Sequence, residues 1–260
     1  MRGIAVLAQS PADEQTAAEL SIFLGLPQRP AGTNPRYCAD AVALLTVSGA
    51  NLALQMTGKG APGPVAVDFG AAGMRHRRRS GHNELLGKAV GVGKRPGLRV
   101  IDATAGLGRD SFVLADLGCS VTLCERNPLV ACLLESGLQA AQCGDDPWLA
   151  QVTGRMRLHR GPAQESGAAA DVIYLDPMFP QRDKSAAVKK EMALFQLLLE
   201  GEPDDGSELL EWALSQDVAR VVVKRPPKAP ALGGINPSHV IRGKAVRYDV
   251  HVLRSLNTGL

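Results

Sequence analysis

Aromatic residues fill only 4% of the 260 positions, so a core must rest on Leu, Val and Ala. No stretch approaches the roughly 18 uninterrupted apolar residues of a membrane-spanning helix. The opening MRGIAVLAQSPADEQ lacks the long apolar run and small-residue cleavage site of a secretory signal, so the cytoplasm is the expected location. The five cysteines, Cys38, Cys119, Cys124, Cys132 and Cys143, are odd in number and contain no C-x-x-C pair. That argues against a disulfide framework, and Cys119, Cys124 and Cys132 lie in apolar surroundings suited to reduced core thiols. The five histidines are scattered, none at ligand spacing from a carboxylate or cysteine, so no metal site is expected.

What is present is a 45% hydrophobic chain, enough for one large or two small domains. The net charge of +3 says little, but its distribution says more. RHRRR places Arg75, Arg77, Arg78 and Arg79 within five positions, and KRPPK adds a second cluster at Lys224 to Lys228. Such runs are either solvated surface or the footprint of a polyanion such as nucleic acid.

Two textures divide the chain, and the expected boundary is near residue 80. Before it, GIAVLA reads as a strand and PADEQTAAELSIFLGL as a helix with proline early and acids in its first turn. Three short strands are then expected, AVALLTV, NLALQM and PVAVDF, separated by glycine-rich turns. Residues 1–80 thus read as a small α+β subdomain, with the arginine run at its end. The helix HNELLGKAVGV follows, and GKRPG punctuates the entry to a larger domain over residues 81–260.

In that larger domain strands alternate with helices. LRVIDA, SVTLCE, RMRLHR, DVIYLD and ARVVVK read as strands. GRDSFVLADLG, PLVACLLESGLQAAQ and SAAVKKEMALFQLLLE read as the intervening helices. Strands apolar on both faces imply a mostly parallel sheet covered on both sides. HVIRGKAVRYDVHVL predicts a C-terminal hairpin that adds an antiparallel edge.

The most informative stretch is VIDATAGLGRD. Asp102 ends a strand, Gly106 and Gly108 follow, and a helix opens near Arg109. Glycines let the backbone turn sharply beside a ligand, and a helix N-terminus offers unpaired N–H groups. Glu125 ends the next strand, where a carboxylate can accept hydrogen bonds from ribose hydroxyls. A dinucleotide fingerprint would need a third glycine where Ser111 stands, and Asp110 would crowd a pyrophosphate. Two acids, Asp102 and Asp110, suit a cofactor with a cationic end. S-adenosylmethionine (SAM), with its sulfonium, amino group and ribose, fits that set.

VIDATAGLGRDSFVLADLGC, ERNP, VIYLDPMFP, KSAAVKKEM and RVVVKRP, in that order, resemble the RsmJ-type family. The resemblance covers roughly residues 66 to 250, and VDF followed by HRRR also matches. These are bacterial small-subunit (16S) rRNA guanine-N2-methyltransferases that use SAM. The resemblance implies a Rossmann-like class I SAM-dependent methyltransferase fold. It also implies N2-methylation of a guanine near the 3′ end of 16S rRNA, free or within the small ribosomal subunit. Carried residue by residue, the family's cofactor contacts fall on Arg109 and Asp110, on Glu125 and Arg126, and on Asp176. A further pair falls on Pro162 and Ala163 in HRGPAQE, where the family tends to have small hydroxyl residues. Contact there would have to be backbone or van der Waals.

Within YLDPMFP, Asp176-Pro177-Met178-Phe179 is similar to the D/N-P-P-Y/F turn of amino-methyltransferases, with Met178 replacing the second proline. Asp176 and the carbonyl of Pro177 are then candidate acceptors for an exocyclic amine, and Phe179 a stacking face for the base. Arg75, Arg77, Arg78 and Arg79, with Lys184, Lys189, Lys190 and Lys224, are the candidate phosphate contacts. The turn alone also admits a DNA base or a protein glutamine as acceptor. A nicotinamide-dependent oxidoreductase conflicts with Ser111 and Asp110. A non-catalytic RNA-binding protein leaves the cofactor acids and Asp176 without a purpose.

Overall fold

Short apolar strands account for both sheets of the computed structural model, which describes residues 3–74, 82–177 and 206–256. In the first unit, β1 (Ile4–Ala8) is buried along its whole length. Helix α1 (Glu14–Leu24) follows a turn in which Ser10 and Asp13 form a capping box, and it stops at Gly25 in the left-handed conformation (φ 63°). Strands β2 (Gln28–Arg29), β3 (Ala43–Ser48) and β4 (Asn51–Met56) complete a four-stranded sheet in the order β2-β1-β3-β4. β1 runs parallel to β2 and β3, and β3 and β4 form a hairpin closed by Gly49 and Ala50.

The strand expected over PVAVDF reduces to one bridge, between Val65 and Leu54, with N–H···O distances of 2.9 and 2.8 Å. Pro62 and Pro64 precede Val65 and have no N–H with which to extend a ladder.

From residue 82 the chain carries the alternating pattern: α2 (His82–Val90), β5 (Arg99–Asp102), α3 (Arg109–Asp116), β6 (Ser120–Glu125), α4 (Pro128–Cys143), α5 (Pro147–Thr153) and β7 (Met156–Arg160). After these come β8 (Val172–Leu175), α6 (Ser207–Ser215), β9 (Arg220–Arg225), β10 (His239–Arg242) and β11 (Arg247–Val252). Among the described residues the sheet has seven strands in the order β10-β11-β9-β8-β5-β6-β7. β5 to β9 pair in parallel, and β11 is antiparallel to both β9 and β10, the edge hairpin that the sequence predicts. Helices α5 and α6 have no counterpart in the sequence reading, and the helix expected over residues 185–200 lies outside the described residues.

Residues 128–140 of α4 group with the small sheet rather than with the second unit. Ser136 Oγ accepts the N–H of Leu52 at 2.9 Å and donates to the carbonyl of Ala50 at 2.8 Å. Gly137 permits a close approach, because a Cβ there would lie 2.3 Å from Val67 Cγ1.

Val172, Ile173, Tyr174 and Leu175 of β8 are all buried, as are Val221, Val222 and Val223 of β9. Each aliphatic side chain buried this way contributes about 1.5–3 kcal/mol. Cys119, Cys124 and Cys132 are buried thiols within this hydrophobic texture, and burial pushes Cys119 and Cys124 up to about 12. At the N-terminal end of β8, Arg95 and Arg99 both bind Asp171, at 2.8 and 3.1 Å. Among the described residues no helix is long and apolar enough to cross a membrane.

Candidate active site

Strand order reverses between β5 and β8, since the chain runs from β5 outward through β6 and β7 before returning on the other side. A crevice at the C-terminal ends of strands that diverge in this way is the usual ligand site of an open α/β sheet. The loop from Asp102 to Gly108 occupies it. Gly106 (φ 53°) and Gly108 (φ 72°) are both left-handed, which side chains with a Cβ rarely adopt.

Glu125, at the end of β6, fastens this loop. Its Oε2 accepts the N–H of Gly106 at 2.9 Å, and its Oε1 accepts the N–H of Asn127 at 2.7 Å. Burial raises its pKa, against the pull of those two N–H groups. A carboxylate offers about four lone-pair sites, so two N–H bonds leave capacity for a vicinal diol.

Asp102 is not at the surface of the crevice. It is 2% exposed, its Oδ2 accepts from Ser111 Oγ at 2.5 Å, and its Oδ1 accepts the N–H of Thr104 at 3.1 Å. Thr104 Oγ1 in turn accepts the N–H of Asp176 at 2.7 Å, which ties the loop after β5 to the end of β8. Asp102, expected as a cofactor contact, braces the loop internally through these bonds. Ser111, which the sequence shows only as a missing glycine, is its partner.

Burial raises the Asp102 carboxyl to about 7, with the charges of Asp110 and Asp176 adding to the shift and the Ser111 bond opposing it. A proton held more tightly in the folded state makes stability fall as pH rises from the ordinary 3.8 through about 7. Asp102→Asn keeps both bonds, with Oδ1 accepting from Thr104 and Nδ2 donating to Ser111, and carries no charge. Between about pH 5 and 8 the wild-type melting temperature should fall by ~4 °C or more relative to that of Asp102→Asn. Parallel curves from thermal melts of the two proteins would refute the assignment.

A second network lies beside the first. Asp110, in the first turn of α3, receives Tyr174 Oη at 2.6 Å and Lys224 Nζ at 2.7 Å, both on Oδ2. Lys224 Nζ also reaches Asp176 Oδ2 at 2.7 Å. Burial works against the Lys224 ammonium, but Asp110 and Asp176 outweigh it and hold it protonated well above the ordinary lysine range. One ammonium between two carboxylates leaves one net negative charge. Lys224 was expected among the phosphate contacts of a basic surface; the structure places its ammonium between two acids, with the side chain only 21% exposed. Neither Tyr174 nor Thr104 is singled out by the sequence.

The other expected residues divide. Arg109, the first residue of α3, and Arg126, just after β6, are exposed. Pro162 is half-buried, whereas Ala163 is 2% exposed and packs in a core cluster with Ile101 and Cys124. Any ligand contact of Ala163 therefore comes through its main chain. Pro177 is buried beside Gly206 (φ 83°), where a Cβ would lie 2.7 Å from Pro177 Cβ. Phe179, Arg75, Arg77, Arg78 and Arg79 lie outside the described residues, as do Lys184, Lys189 and Lys190.

The donor set suits SAM. A net negative cluster at Asp110, Lys224 and Asp176 matches a sulfonium and an amino group, and Glu125 matches a ribose diol. Residues 34–253 match the family model described as "Putative SAM-dependent methyltransferase". Fold and site therefore define a Rossmann-like class I SAM-dependent methyltransferase.

The chain is 47% identical to "Ribosomal RNA small subunit methyltransferase J" of Marinobacter nauticus, over 98% of this chain and 94% of that protein. It is 52% identical to the protein of the same name from Pseudomonas paraeruginosa, over 77% of this chain and 78% of that one. The crystal structure of a SAM-dependent methyltransferase from Neisseria gonorrhoeae aligns with a TM-score of 0.69 and 34% identity, over 95% of each chain. The chain belongs to the ribosomal RNA small subunit methyltransferase J family, and its cofactor is SAM.

Proposed function

We propose that the protein methylates the exocyclic N2 amine of one guanine in 16S rRNA, near its 3′ end, giving N2-methylguanosine. The observation that carries this reading is Asp176: a carboxylate 37% exposed at the end of β8, with one oxygen fixed by Lys224 and its N–H fixed by Thr104. The name shared by the relatives supports small-subunit rRNA as the substrate class.

When bound, SAM supplies a methyl group already activated by its sulfonium. The protein's work is to present a poor nucleophile in line with it. The lone pair of a guanine amine is delocalised into the ring, and hydrogen-bond acceptors on its N–H groups favour pyramidal nitrogen. Asp176 is the first acceptor and the carbonyl of Pro177 the second. The carboxylate also offsets the positive charge that develops on nitrogen during transfer.

A guanine reaches this turn only when unpaired or flipped out, at a cost of a few kcal/mol. Phosphate contacts must offset that cost. Arg75, Arg77, Arg78 and Arg79 are the proposed sources, together with Phe179 as the stacking face for the base.

The test is methylation with labelled SAM of unmodified small-subunit rRNA, naked and in assembled subunits, followed by nucleoside analysis. N2-methylguanosine is the expected product. Label in another base, or only in protein glutamine, would overturn the reading.

A further inference from the structure

Lys224 sits where two functions meet. Asp110 belongs to the helix that opens from the glycine loop, on the cofactor side, and Asp176 is the proposed acceptor for the amine. One ammonium binds Oδ2 of both at 2.7 Å, so those oxygens lie no more than twice that distance apart. Two carboxylates so close repel each other, and removing the cation between them makes proton uptake by one of them easier. The strand supplies the cation for a geometric reason: β9 pairs with β8 in register Leu175 to Val223, which brings Lys224 alongside Asp176.

We infer that Lys224 is a positioning residue of the methyl transfer: it fixes Asp176 in its ionised, acceptor-only form and couples that carboxylate to Asp110. The inference rests on Asp176 being the acceptor that the amine meets. A protonated Asp176 would present an O–H donor to an N–H donor, and the hydrogen bond that activates the amine would be lost.

Among the described residues, the groups bonded to this ammonium are Asp110 on α3 and Asp176 on β8. Tyr174 on β8 bonds Asp110, Asp102 on β5 lies close enough to feel both carboxylates, and Tyr248 on β11 is paired in register with Lys224. Tyr174 is buried and its hydroxyl is pushed up first by that burial and then by Asp110, so it stays neutral and donates to Asp110. Among the described residues, Lys224 is the cation that bonds both carboxylates. A phosphate contact is the competing role, and it would require Nζ to leave both carboxylates.

The test compares wild type, Lys224→Met and Lys224→Arg in single-turnover methylation of rRNA across pH. Wild type and Lys224→Arg keep a cation, and their rates should hold down to about pH 6. Lys224→Met should lose about 10²-fold at neutral pH, with a new acidic limb centred between about pH 6 and 8. Its affinity for SAM, by calorimetry, should be close to that of wild type below the new limb, where a shared proton replaces the ammonium's charge, and tighter above it. If Lys224→Met does not fold, Lys224→Gln takes its place, since its amide still donates to a carboxylate without charge.

A neutral variant with the wild-type pH profile would overturn the inference. So would an unchanged turnover with raised KM for RNA and a flatter salt dependence, the signature of a phosphate contact. If the wild-type protein itself makes no N2-methylguanosine, it is the guanine reading that fails. The pH profiles on whichever substrate is accepted still decide the role of Lys224.

Discussion

Asp176→Asn should lower turnover about 10²- to 10³-fold while the melting temperature stays close to that of the wild type. Asparagine has one acceptor and one donor where aspartate has two acceptors. If its oxygen keeps the bond to Lys224 Nζ, its amide N–H₂ points donors at the guanine amine. If it turns over, the N–H₂ meets the ammonium instead. Either orientation removes one essential contact. The backbone bond from Asp176 N to Thr104 Oγ1 is untouched, so the end of β8 keeps its place. Asp176→Ala loses both contacts and leaves Lys224 bound to Asp110 alone.

The loss should fall on kcat and kcat/KM alike, because an interaction that strengthens as nitrogen becomes cationic belongs to the transition state. Single-turnover rates with saturating SAM, alongside thermal melts, measure both quantities. A folded Asp176→Asn protein turning over at near-normal rate would remove Asp176 from the reaction.

Glu125→Ala is expected to weaken SAM binding about 100-fold and to leave the rate at saturating SAM within several-fold of wild type. The carboxylate acts twice. It accepts from Gly106 and Asn127, which sets the glycine loop, and its remaining lone pairs are the proposed acceptors for a ribose diol. A charged acceptor for two hydroxyls contributes about 1.5–3 kcal/mol, and loop disorder adds to the loss. Glu125→Gln tests the loop separately. Its N–H₂ would confront the N–H of either Gly106 or Asn127, so it should not restore affinity despite its equal size. Because burial already raises the Glu125 pKa, SAM affinity should also weaken as pH falls toward that raised value, and Glu125→Gln should lose this dependence. Calorimetric titration with SAM reads all three effects, and an unaltered affinity in Glu125→Ala would exclude the ribose contact.

The side-chain partners of Asp102, Lys224 and Ser111 are not legible in the sequence. The strand before Asp102 is apolar, glycines follow and a helix opens, so a ligand loop is legible from local chemistry alone. The side-chain direction of Asp102 is not. Whether its carboxylate faces the crevice or the core depends on Ser111 in the first turn of α3, and the structure turns it inward. Lys224 stands 48 positions from Asp176 and 114 from Asp110. At that range a lysine beside Arg225 and Pro226 looks like part of a basic surface, because charge runs are visible in a sequence and their partners are not.

The sequence by itself determined the elements of the large sheet. Strands apolar on both faces and bounded by glycine, proline and acids can pack only between layers, and their alternation with helices dictates parallel pairing. It also determined the glycine turn between β5 and α3, since a strand, a tight turn and a helix start are contiguous. Only the tertiary structure decided which acids share a cation. Parallel pairing of β5, β8 and β9 brings the ends of distant strands to one edge, and there the Lys224 ammonium meets Asp110 and Asp176. Local sequence fixes which residues can ionise; the partner that holds Asp176 ionised arrives from another strand.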